Sequence, residues 1–140
     1  MQGIPGDQGP EGPRGPSDAF AYVDSTETNV STPQDVAMLD LPTGFVVVNA
    51  KVQLNLLSDA GTTEAQCVLR VEDTANLVPT VFDVADILVS GTHIVVPLAT
   101  AANLSDAGSP VAALNCTGAN VSVSNVTLVA VQVGNLVRLP

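Results

Sequence analysis

Between Val46 and Leu56 the chain alternates. Val46, Val48, Ala50, Val52, Leu54 and Leu56 fall on one side, and Val47, Asn49, Lys51, Gln53 and Asn55 fall on the other. A period of two held over eleven residues places successive side chains on opposite faces of a strand and fits no helix. The strand runs into the turn tetrad Ser58-Asp59-Ala60-Gly61. Beyond it Cys67, Leu69 and Val71 alternate with Val68, Arg70 and Glu72, which predicts a second strand. The tetrad recurs as Ser105-Asp106-Ala107-Gly108, again preceded by Leu and followed by a cysteine. Either two similar hairpins present Cys67 and Cys116 to one another, or good turn chemistry has simply been used twice.

Further strands are expected over Phe20 to Asp24, Asp35 to Leu41, Val78 to Val89 with a break near Asp83, Thr92 to Ala99, Val111 to Cys116, and Val121 to Val133. Short strands separated by breaker residues, with no helical periodicity, predict an all-β fold. Its form is a two-sheet antiparallel sandwich or jelly roll. In the last strand Val121, Val123, Val126 and Leu128 point toward a core together with Cys116, and simple alternation fails after Ser124. A bulge is expected near Ser124-Asn125. Past it Val129, Val131 and Val133 make the second face apolar too, and in an oligomer that face is covered by the neighbouring subunit. Asn-x-Ser/Thr sequons at Asn29, Asn103, Asn115, Asn120 and Asn125 would suggest glycans in a eukaryotic secreted protein, but on strands they read more simply as a polar outer face.

Composition sharpens this picture. Hydrophobic residues make up 46% of the chain, charged residues 13% and aromatics 3%, so the core must be built from Val, Leu and Ala. A net charge of -10 with four basic side chains disfavours nucleic acid and anionic membrane surfaces as partners. No window reaches the roughly 20 apolar residues that span a bilayer. Met1 directly abuts the first repeat described below, so signal and anchor are expected to lie outside this chain. Cys67 and Cys116 suit either one disulfide in an exported protein or two buried thiols.

The first seventeen residues have a different texture. Gly3, Gly6, Gly9, Gly12 and Gly15 open five unbroken triplets: Gly-Ile-Pro, Gly-Asp-Gln, Gly-Pro-Glu, Gly-Pro-Arg and Gly-Pro-Ser. Three polyproline-type strands leave no room for a side chain at their shared axis, so this repeat is a steric requirement of the collagen triple helix. Two parts are therefore expected, a collagen-like stub over 1–17 and a β head over 18–140 of about 120 residues, enough for one core. A rod of five triplets is only roughly 45 Å long. It buries little apolar surface against the entropy of ordering three chains, so the head should nucleate it by raising the local concentration of the three tethers.

A collagen tract followed by a valine-rich β head resembles bacterial collagen-like proteins with a carboxy-terminal trimerisation head, and more loosely the complement and tumour-necrosis-factor-like jelly rolls. Within the head the resemblance is carried by Ala19-Phe20-Ala21-Tyr22 as an entry strand and by Leu41-Pro42-Thr43-Gly44-Phe45-Val46-Val47-Val48 as a strand opening. It implies a homotrimeric jelly-roll head that sets chain register for the rod, on a cell surface or secreted. Phe20 and Tyr22 join Val129, Val131 and Val133 as the expected interface.

Candidate chemistry is sparse. His93 is the only histidine and no Ser/His/Asp or Cys/His constellation surrounds it, so no enzyme and no cofactor are expected. Asp83 and Asp86 are the best calcium candidates, outweighed by the reading as a solvated acidic rim. The leading expectation is a non-enzymatic structural protein, whose partner is its own second and third copies. The alternative is a trimeric adhesive or receptor-binding head on a bacterial surface or phage fibre, with a host or matrix ligand.

Overall fold

A computed structural model describes residues 3, 19–57, 62–73, 78–90, 92–104 and 108–134. Gly6, Gly9, Gly12 and Gly15 and most of both turn tetrads lie outside the described residues. Nine strands follow in order: β1 Ala19–Asp24, β2 Thr28–Asn29, β3 Gln34–Asp40, β4 Phe45–Leu56, β5 Thr62–Asp73, β6 Val78–Ser90, β7 His93–Asn103, β8 Pro110–Gly118 and β9 Val121–Val133. They form two antiparallel sheets of a β-sandwich. The first has the order β1-β9-β4-β7 with β2 also on β9, and the second has the order β3-β8-β5-β6.

Alternation in each strand supplies the core between the sheets. From the first sheet come Val46, Val48, Val52, Leu54, Val121, Val123 and Leu128, and from the second Leu69, Leu114, Cys67 and Cys116, all fully buried. Burying one such Val or Leu side chain is worth about 1.5–3 kcal/mol, and the absence of rings makes many small contributions replace a few large ones. The prediction for β4 holds residue by residue along its buried side.

The expected bulge in β9 is present. Lys51 pairs with Thr127 but Gln53 pairs with Ser124, so β9 carries one extra residue there, and Asn125 adopts φ 49°. This left-handed conformation suits Asn better than most residues. The inserted residue changes parity: Val121 and Val123 face the core before it, and Val126, Leu128 and Ala130 face the core after it.

Three details depart from expectation. The strand β6 runs unbroken through Asp83, because Asp83 keeps its place opposite Leu69 on β5. The short β2 pairs Thr28 and Asn29 with β9 and carries no sequence signal of its own. The expected hairpins do not form: β5 lies in the other sheet from β4, and β8 in the other sheet from β7. Both nonetheless deliver their cysteines to the same place. Cys67 and Cys116 stand directly opposite each other on the paired strands β5 and β8 and form a disulfide on the core side of the second sheet.

Candidate interaction face

Residues pointing away from the core on the first sheet follow from pairing register. One row across the strands is Ala19, Val131, Val47 and Ala101, and the next is Ala21, Val129, Asn49 and Ala99. Val133 pairs with Phe45 at one end of the patch, and Val23, Thr127, Lys51 and Pro97 form the row at the other. The region around Val131 is apolar over four strands. Small side chains dominate it, so its surface is flat.

Beyond Lys51 the strands of the same face turn polar, and the Glu27 carboxylate reaches its far end from outside the strands. Asn125 Nδ2 donates to Gln53 Oε1 at 3.0 Å, Gln53 Nε2 to Asn55 Oδ1 at 2.7 Å, and Asn55 Nδ2 to Ser124 Oγ at 2.9 Å. Ser122 Oγ in turn donates to Glu27 Oε1. A cavity of about 300 Å³ lies beside this chain of amides, lined by Lys51, Gln53, Val95, Asn125 and Thr127. Among the described strand residues of this outer face, Lys51 is the one full charge.

Sequence-predicted residues divide. Val129, Val131 and Val133 lie together, half-buried, on this face. Phe20 and Tyr22 do not join them: they pair with Ala130 and Leu128, which face the core, so both rings turn to the inner side of β1, where Tyr22 packs against the core. Ala19, Ala21 and Val23 take the outward places instead. Val47, Ala99 and Ala101 were missed because each is outward in its own strand, and only register gathers them around Val131.

The opposite outer face, on the second sheet, is charged. Asp35, Asp40, Glu64, Glu72 and Asp86 point outward there with Arg70. Arg70 donates through Nη1 to Asp35 Oδ1 at 2.7 Å and through Nη2 to Asp35 Oδ2 at 2.9 Å, and its Nε lies 3.3 Å from Glu72. The hydrogen bonds from Arg70 lead in holding the Asp35 carboxyl below the usual carboxylate range; partial burial opposes them, and Asn115 and the guanidinium charge reinforce them.

Asp83 and Asp86 are not brought together. Three positions apart on one strand, they face opposite sides: Asp83 Oδ2 accepts the Ala99 backbone N–H at 3.0 Å, and Asp86 Oδ1 accepts from Gln66 Nε2 at 2.8 Å. His93 is exposed at the start of β7, with Nδ1 3.2 Å from Thr92 Oγ1. Asp73, almost fully buried, accepts the backbone N–H groups of Gly108 and Ser109 at 2.9 and 2.8 Å and so fixes the entry into β8.

No family model and no curated protein matches this chain. Among solved structures, a chain in the structure of infectious bursal disease virus, Gx strain, is similar to it, with a TM-score of 0.57 and 13% identity over 85% of this chain and 34% of that one. The match thus spans about a third of the viral chain, and at this identity the likeness is one of fold: an antiparallel β-sandwich.

Proposed function

We propose that the chain is the trimerisation head of a collagen-like protein, closing three copies through the outer face of the first sheet and thereby setting the register of the Gly-x-y rod. The observation that carries this reading is the distribution of charge. In a chain of net charge -10, the described strand residues of this outer face include a single full charge, Lys51, and the apolar patch centred on Val131 carries none. Depletion of charge at the centre of a patch is what distinguishes subunit interfaces from ordinary surface. The number three comes from the glycine triplets, which are useful only to three strands wound together.

The position of the patch fits this role. β1 begins at Ala19, two residues after the last triplet ends at Ser17, and its outward side chains form one border of the patch. Copies joined there send their tethers out beside one another. The strand order of the two sheets supports a jelly roll, and the Cys67–Cys116 disulfide supports folding in an oxidising compartment, hence a secreted or surface-exposed protein.

Light scattering of the whole chain tests the proposal: a mass of three chains at micromolar concentration is expected, and a monomer overturns it. In the same protein Gly9→Ala should weaken polyproline-type dichroism and leave the trimer mass unchanged.

A further inference from the structure

The second sheet's outer face carries an apolar row on its edge strand. Phe82, Val84 and Leu88 of β6 are 60%, 43% and 59% exposed, far more than core-forming neighbours of the same size. Beside Leu88 a groove of about 520 Å³ runs across the strands. Its floor is the backbone at Ala65, Ile87 and Gly118; Glu64 and Leu88 line one side, and Gln66, Asp86 and Thr117 the other. Its volume lies within the roughly 300–1,000 Å³ of ordinary binding clefts.

Charge decides what fits. Glu64 pairs in register with Leu88, and Asp86 with Gln66, so Glu64 and Asp86 are diagonal neighbours on the same face, positions whose backbones sit roughly 7–8 Å apart. Gln66 occupies one oxygen of Asp86, and Glu64 has no hydrogen-bond or ion-pair partner among the described residues. Among the described residues no cation answers them: Arg70 is held by Asp35 and Glu72, and Lys51 is on the other face.

We propose that this groove docks a basic, apolar polypeptide segment, one cationic side chain lying between Glu64 and Asp86 and its apolar neighbours resting on Leu88, Val84 and Phe82. Such a segment separates two like charges and covers the exposed row in one event. The inference is independent of trimer formation, since it uses the opposite face of the sandwich.

The probe is a ten-residue peptide of alternating lysine and leucine, with a glutamate–leucine peptide as its control, titrated calorimetrically into the whole chain while light scattering records its mass. The lysine peptide should bind and the glutamate peptide should not. Glu64→Gln with Asp86→Asn should weaken binding about tenfold or more, and Leu88→Ser should weaken it too. Asp40→Asn with Glu72→Gln removes the same charge from the same face but away from the groove and should leave most of the affinity. No binding, or equal weakening by both double variants, overturns the site in favour of none or of a diffuse acidic field. The mass readout reports separately on assembly, so either proposal can fail alone.

Discussion

The two outer faces of this sandwich obey one alternation rule and yet differ sharply in what they expose. The first sheet turns Ala19, Ala21, Val47, Val129, Val131 and Ala101 outward with a single lysine; the second turns out five carboxylates and an arginine. Inward, both offer the same valines and leucines. The core therefore accounts for folding, while the charge difference between the faces accounts for where other copies or partners can approach. The uncharged apolar patch around Val131 can be desolvated cheaply, whereas five carboxylates cannot be buried against a copy of themselves.

The strongest way to break this contrast is to plant a charge on each face in turn. Val131→Asp should convert trimers to monomers in light scattering, because three unpaired carboxylates would be buried at the interface; Val84→Asp, on the second sheet, should leave the mass unchanged. Equal behaviour of the two variants would remove the basis for assigning the interface. The disulfide comes next. It ties the two central strands of the second sheet across 49 residues, and chain entropy gives such a closure about 4 kcal/mol. Cys67→Ala with Cys116→Ala should lower stability by about that amount in denaturant unfolding without moving the site of association.

A smaller effect is expected at the ion pair that joins β3 to β5. Asp35→Asn should cost about 1 kcal/mol near neutral pH, the pair being bidentate but partly solvated. Because folding lowers the Asp35 pKa, its contribution is fully present above the unfolded carboxylate value near 4 and disappears as the pH falls through the folded value. The gap between variant and parent should therefore close in acid, as followed by thermal melts from pH 7 to pH 2.5. Smallest of all, Lys51→Gln should leave the trimer intact with a Tm change equivalent to about 0.5 kcal/mol or less.

Most strands were legible because polar and apolar positions contrast. β4, with asparagine, lysine and glutamine on one side and valine and leucine on the other, left no ambiguity. β1 offered none of that contrast: Ala19-Phe20-Ala21-Tyr22-Val23 is apolar on both sides, so the direction of Phe20 and Tyr22 depended on pairing with β9 that only the fold supplies. The end of β7 was lost for the same reason, since Ala101 and Ala102 look alike while facing opposite ways. Pairings over long distances were beyond reach as well. Glu64 and Asp86 are unremarkable apart in sequence and become neighbours through the β5–β6 ladder, and the jump in β9 could be suspected from broken alternation while its partner, between Lys51 and Gln53, could not.

The extra residue at Asn125 makes β9 sensitive to length in a way that it is not sensitive to identity. Exchange for glycine would keep the left-handed backbone. Deletion would rotate everything downstream by half a turn, sending Leu128 and Ala130 into solvent and driving Val129, Val131 and Val133 inward, so a one-codon loss there would turn the molecule's contact surface inside out.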